Sequence, residues 1–324
     1  SKYWCNKFIK GILMEHYVTI FDSLFLPQGL ALHMSMERHV KNYNLWVICV
    51  DDDAHKVLAN LQLPNVRLLQ ISKLETQELL NIKPGRTKAE YCWTLTPFAP
   101  RFVFEADLSV ERVTYLDADL WFRQHPKPIF DEFIASGKQV LITEHGYAPE
   151  YDQSAASGRY CVQFITFTRQ GGECVRKWWE ERCVEWCYAR VENGRFGDQK
   201  YLDNWPIIFS EYTHVLQQHA FSLAPWNASR FPYSASIFYH FHSYRYGKYN
   251  KYCDHYRLPN VVIDNLYKPY DCDINSAIER IKLTGYTPKY QHNLKFLKQL
   301  VKSIKSSLFK RQFHLINFIT SINK

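Results

Sequence analysis

Three signatures that would put this chain in a common enzyme class are missing. No Gly-x-Gly-x-x-Gly follows an apolar run, which excludes an ordinary dinucleotide-binding fold. No Gly-x-x-x-x-Gly-Lys-Ser/Thr occurs, which excludes a P-loop nucleotide hydrolase. No Gly-x-Ser-x-Gly elbow marks an α/β-hydrolase. No apolar run approaches the ~18 residues that a bilayer span requires. Lys7, Lys10 and Glu15 interrupt the first residues, which therefore do not read as a secretory leader. The nine cysteines show no paired framework and their number is odd, so reduced thiols and a reducing compartment are expected. Cys183 and Cys187 are four apart, but no second pair has zinc-ligand spacing, and no zinc site is expected there.

Acidic residues are absent from one end. Residues 281–324 carry nine Lys/Arg and no Asp/Glu. Of 40 basic and 32 acidic residues in the chain, residues 1–280 therefore hold 31 and 32, so the body is near neutral and the net charge of +8 belongs to the tail. A nucleic-acid-binding protein usually carries basic residues over its body as well. Nucleic acid is therefore not an expected partner.

Aromatic residues are plentiful: 22 Tyr, 21 Phe and 9 Trp offer ring surfaces to a core or to sugars. Apolar, β-branched runs alternate with segments of helical period. Strands are expected at 16–25, 45–50, 66–71, 113–122, 140–143, 160–168 and 237–242. Helices are expected at 30–40, 54–61, 74–80, 87–98, 129–136 and 173–190, with Pro97 and Pro100 ending the fourth. Residues 146–158 read as an irregular loop, 194–199 as a glycine-flanked loop into a short helix, and 213–216 and 261–263 are ambiguous. This alternation predicts an α/β domain with a mostly parallel sheet flanked by helices. The expected division is a lead-in (1–15), a body (16–270) and a helical tail (271–324).

The body is organised around Val113-Thr-Tyr-Leu-Asp-Ala-Asp-Leu-Trp-Phe122. Read as one strand, it places Asp117 and Asp119 on the same side, because residues two apart on extended backbone share a face. At the carboxyl end of a strand in an open α/β sheet, that is where ligands bind. Two converging carboxylates repel unless one is protonated or a cation lies between them. A hard divalent cation bridging to diphosphate oxygens resolves the conflict. His240 and His242 lie on one face of a later strand and are rivals for a third ligand; a satisfied core histidine is the other reading. Asp198 is either functional or the cap of the helix that follows it. Asp51–Asp53 is either a rival cation site or, as favoured here, a solvated turn opening a helix. Glu144 and His145 also follow a strand, and either could touch an acceptor hydroxyl, a choice the sequence leaves open.

Leu116-Asp-Ala-Asp119, Gly197-Asp-Gln199 and His240-Phe-His-Ser243, in that order and with Phe21-Asp22 ahead of them, resemble the family 8 group of glycosyltransferases with the GT-A fold and related bacterial sugar transferases. The resemblance spans about residues 16–270. It implies that Asp22 contacts a nucleotide base with Phe25 beside it. It implies that Arg86 and Glu90 reach toward the donor's phosphates and sugar, and that Asp117, Asp119 and His240 hold a metal. Asp198 and Gln199 would lie by the reacting face of the donor sugar, with Gln163 near it where the family often has Asn, and Lys248 would bind diphosphate. Ser243 stands where the family usually has Gly, and Gly247-Lys-Tyr replaces the usual Lys-Pro-Trp.

The implied reaction moves a hexose from a UDP-sugar to a saccharide or lipid-linked glycan, with retention of anomeric configuration and Mn²⁺ or Mg²⁺ as cofactor. Same-face attack, with the Gln199 amide oxygen against the developing positive charge, is the favoured route. A sugar-nucleotide pyrophosphorylase would need an Arg-containing, Gly-rich loop after the first strand, and residues 24–29 lack it. A non-catalytic nucleotide- or glycan-binding protein is the remaining alternative. In the tail, Leu297, Val301, Ile304 and Leu308 recur at helical spacing beside Lys295, Lys298, Lys302 and Lys305. Such a face suits an anionic membrane surface. The expected location is cytoplasmic, peripherally attached to the inner face of the membrane.

Overall fold

The computed structural model describes residues 14–253 and 255–291. Among these, 245–251 and 289–291 form a small unit of their own, and the rest form the main one. The strands of the main unit are β1 (Glu15–Phe21), β2 (Tyr43–Cys49), β3 (Val66–Gln70), β4 (Arg112–Leu116), β5 (Leu120–Phe122), β6 (Val140–Glu144), β7 (Tyr160–Thr168), β8 (Thr213–Val215), β9 (Ser222–Leu223) and β10 (Phe238–His240). Seven of them form one mixed, mostly parallel sheet in the order β3-β2-β1-β4-β7-β6-β8. Strand β7 runs antiparallel to both β4 and β6. The other three make a small sheet, β5-β10-β9.

Side-chain alternation builds two cores from the same strands. Tyr17 and Phe21 of β1, with Leu45, Val47 and Cys49 of β2, face one cluster. Val18, Ile20, Trp46 and Ile48 face the other. Helices Leu26–His39, Lys127–Ser136 and Lys268–Lys282 contribute to the first cluster, and Lys88–Leu95 and Phe98–Ala106 to the second. Burial on both faces explains why the strands read as nearly continuous apolar runs.

Three expectations need correction. The run from 113 to 122 is not one strand: β4 stops at Leu116 and β5 belongs to the other sheet. Pro97 and Pro100 do not end a helix. Pro97 is the N-cap of helix Phe98–Ala106 and Pro100 lies in its first turn, where the missing N–H has no intrahelical partner to lose. The late strand stops at His240 rather than 242. In addition, helix Lys268–Lys282 crosses the expected boundary at 270–271. It lies against helix Leu26–His39, with Asp273 paired to Arg38 and Ala277 and Ile281 in the core. The amphipathic pattern at 294–319 lies outside the described residues, within which no helix is long and apolar enough to cross a membrane.

In the small unit, Arg245 and Lys251 exchange backbone hydrogen bonds of 2.9 and 2.8 Å, and Gln291 N–H donates to the Tyr246 carbonyl.

The chain leaves β1 toward β2 and β3 on one side and then returns to place β4 on the other. That reversal creates a crevice beyond the carboxyl ends of β1 and β4, the usual ligand position in such sheets. Gly29 lets helix Leu26–His39 approach β1: a Cβ there would lie 2.4 Å from Phe21 Cζ. Alanine for a helix-interior glycine ordinarily stabilises by about 1 kcal/mol. Overpacking of about 1–3 kcal/mol outweighs that gain here. Gly29→Ala is therefore expected to lower the thermal midpoint, and a raised midpoint in calorimetry would show that Phe21 gives way freely.

Candidate active site

Asp117 and Asp119 converge through a turn rather than along an extended strand. Leu120 N–H donates to the Asp117 carbonyl at 3.2 Å, closing the turn directly after β4. Asp117 N–H donates to the Gln163 carbonyl on β7 at 3.1 Å, and Phe241 N–H donates to the Asp119 carbonyl at 2.9 Å. Strand β5 pairs antiparallel with β10 so that His240 lies opposite Leu120. This register carries the imidazole to the carboxylates. His240 Nε2 lies 3.0 Å from Asp119 Oδ1 and 3.7 Å from Asp117 Oδ2. One ligand atom from each of the three residues lies within 4.8 Å of the others.

The environment strains this group electrostatically. Burial pushes the Asp117 carboxyl up to about 6, aided by Asp119 and opposed by His240. Burial alone would lower the pKa of His240, but the Asp119 and Asp117 carboxylates hold it well above the ordinary histidine value. Tyr115 O–H donates to Asp117 Oδ1 at 3.0 Å. The His240 Nδ1 edge faces Gln163 Oε1 at 2.9 Å, which leaves Nε2 toward the acids. His242 is exposed, lies past the end of β10 and stands 5.5 Å from the Trp226 ring. Trp226 also meets the His240 ring edge-on at 5.3 Å. Ser243, three residues after His240, has φ 65°, the left-handed conformation that favours glycine. The backbone at that position is thus the one a glycine would adopt.

Asp198 approaches the group from another direction. Gly197, at φ 53°, turns the chain there beside the Trp93 ring. Asp198 precedes a short 3₁₀ turn, Gln199–Asn204, but makes no capping hydrogen bond with its side chain. It is 3 % exposed; Thr96 lies by its carboxylate, whose Oδ2 has no partner. Burial pushes its carboxyl up to about 7, with the nearby Asp117 charge adding to the rise. Gln199 Nε2 donates to the Ser157 carbonyl at 2.7 Å. A carbonyl oxygen only accepts, so the amide nitrogen is turned to the loop and Gln199 Oε1 occupies the other branch.

At the end of β1, Asp22 accepts from the N–H groups of Leu24 and Phe25. The Phe25 ring packs against the core. Lys88 reaches both Asp22, at 2.6 Å, and Asp51, at 3.3 Å. Asp51 caps helix Asp52–Leu61 by accepting from Ala54 N–H, the favoured turn reading. Lys88 did not stand out in the sequence, yet its spacing to Cys92 and Thr96 was a signal. Positions i, i+4 and i+8 share a helix face over about 12 Å. Lys88 reaches the β1 end and Thr96 lies by Asp198.

Several expected donor contacts lie elsewhere. Arg86 donates to Thr94 Oγ1 and to the Val184 carbonyl, tying helix Lys88–Leu95 to Glu173–Glu185. Glu90 closes a capping box with Thr87 and accepts from Ala189 N–H. Gln163 is fully buried, with its amide oxygen 2.9 Å from His240 Nδ1. Glu144 is paired with Arg159, and His145 is buried with its pKa lowered to about 3, chiefly by that burial. Lys248 belongs to the small unit, where its ammonium lies 5.7 Å from the Tyr249 ring centre.

No family model matches the chain. The uncharacterized protein YfnF of Bacillus subtilis (strain 168) is 33% identical over 252 residues, which cover 71% of this chain and 81% of YfnF. The chain belongs to the YfnF family. A second protein of that organism, the uncharacterized YfnD, is 27% identical over 303 residues, covering 85% of this chain and 95% of YfnD. Among solved structures, the galactosyltransferase LgtC in complex with donor and acceptor sugar analogs is similar with a TM-score of 0.51 at 13% identity, covering 81% of this chain and 95% of LgtC. This YfnF-family chain therefore has the GT-A fold.

Hydrogen bonds from a charged donor contribute about 1.5–3 kcal/mol each. Arg86→Leu is expected to lower stability by about 2–3 kcal/mol in urea unfolding and to leave Mn²⁺ affinity unchanged. Weaker Mn²⁺ binding at unchanged stability would return Arg86 to the site.

Proposed function

We propose that this YfnF-family chain is a metal-dependent glycosyltransferase that moves a hexose from a UDP-sugar to a glycan or lipid-linked acceptor. The observation that carries this reading is the meeting of Asp117, Asp119 and His240 at one point beyond β4, with ligand atoms within 4.8 Å of each other. Two carboxylate oxygens and one imidazole nitrogen suit Mn²⁺ or Mg²⁺, and the imidazole tilts the choice toward Mn²⁺. Bound there, such a cation would supply Lewis-acid neutralisation of a diphosphate leaving group.

The residues around it divide the remaining work. Asp22 and Phe25 stand where the nucleoside end of a donor would reach, beyond β1. Lys88, 57 % exposed, is placed to exchange its contacts with Asp22 and Asp51 for phosphate oxygens. Asp198, with one buried oxygen lacking a partner, is placed to accept from a sugar hydroxyl. Breaking the anomeric bond leaves an oxocarbenium-like sugar. Gln199 Oε1, oriented by the Ser157 carbonyl, is suited to stand against that charge during same-face, retaining transfer. Gln199 is too weak a nucleophile for a covalent route, and that chemistry supports the assignment.

A panel of UDP-, GDP- and CMP-hexoses, each with and without Mn²⁺, tests the reading through thermal stabilisation and slow donor hydrolysis. Stabilisation and hydrolysis by one UDP-hexose, both dependent on Mn²⁺, is the expected result. Asp119→Ala is expected to reduce hydrolysis by about 10²–10³-fold. Indifference to every nucleotide sugar would overturn the proposal.

A further inference from the structure

Gln163 holds two of the three ligand-bearing segments at once. It lies on β7, fully buried. Its backbone carbonyl accepts from Asp117 N–H at 3.1 Å, and its side-chain Oε1 lies 2.9 Å from His240 Nδ1. Its amide Nε2 donates to Thr143 Oγ1 on β6 at 3.4 Å. The side chain therefore bridges the large sheet to β10 of the small one.

The chemistry of that contact is directional. An amide oxygen can only accept, so the proton of the bond belongs to His240 Nδ1. In the neutral imidazole, Nε2 is then the nitrogen with the free lone pair, and Nε2 is the atom that faces Asp119 and Asp117. With the amide reversed, its N–H would donate to Nδ1 and the ring proton would sit on Nε2, where no cation could be ligated. The Thr143 hydroxyl both donates and accepts, so it satisfies the outer branch of the amide in either orientation, and the ring nitrogen that carries the proton decides between them. Metal-bound histidines generally hand their second N–H to such a partner, which fixes both tautomer and ring plane.

We infer that Gln163 is a positioning residue that sets the tautomer and aim of His240 for a divalent cation, and is not a sugar ligand. The inference rests on the cation reading given above. Mn²⁺ affinity of the full chain, read from the free-ion electron paramagnetic resonance signal, tests it without any turnover. Gln163→Met removes the acceptor at similar volume and is expected to weaken Mn²⁺ binding about ten- to a hundredfold, with an unchanged circular dichroism spectrum. Gln163→Glu keeps an acceptor and is expected to bind Mn²⁺ more tightly than Gln163→Met, close to the parent. Parent-like affinity in a folded Gln163→Met chain, with Asp119→Asn still defective, would overturn the inference and leave the cation reading standing. No Mn²⁺ binding by the parent would overturn both. Nitrogen NMR of ¹⁵N-histidine in the Mg²⁺-loaded parent gives a second reading that needs no variant: a proton on His240 Nδ1 is expected, and one on Nε2 would overturn the inference.

Discussion

Two carboxylates and an imidazole pressed into one partly buried corner set the terms for everything around them. Asp117 and Asp119 repel each other where water is scarce, and burial makes each charge costlier still. The described atoms answer with His240, held well above its ordinary pKa by those same carboxylates. An imidazolium shared by two acids is electrostatically equivalent to a placeholder for a cation of higher charge. The same three atoms that stabilise the ring proton would serve as ligands once that proton left.

The architecture supplies this corner from remote parts of the chain. Asp117 comes from the end of β4, beside the strand reversal, and His240 from a short strand of a second sheet. The Asp-Ala-Asp turn joins the two sheets, and the Phe241 and Gln163 backbones hold it from both sides. One helix, Lys88–Leu95, then links the far end of the crevice to the near one, with Lys88 at Asp22 and Thr96, just past its end, at Asp198.

Much of this was legible in the residues, and the misses have physical causes. Strand β7 was readable because its flanking turns are polar while its own residues are apolar or β-forming; its expected span, 160–168, is the observed one. The break between β4 and β5 was not, because Leu120-Trp-Phe122 is as β-prone as what precedes it and only backbone hydrogen bonds mark the turn. Helix Phe98–Ala106 was hidden by two prolines that open it rather than close it. The pairing of Asp117 and Asp119 with a late histidine followed from the family resemblance, whereas the separation of His240 from His242 required the end of β10. Gln163 was assigned to the sugar by the family resemblance, and alternation on a strand buried on both faces does not say which face meets the site. Arg86 and Glu90 were assigned to a ligand by the family resemblance, and their partners Val184 and Ala189, about a hundred residues away in sequence, were not readable beside them.

The most direct test of the central claim is anomalous diffraction from crystals of the chain grown with Mn²⁺, recorded at the manganese edge. The account expects one strong peak in contact with Asp117, Asp119 and His240 together. A peak that engages none of them, or density showing the three side chains turned apart, would contradict it.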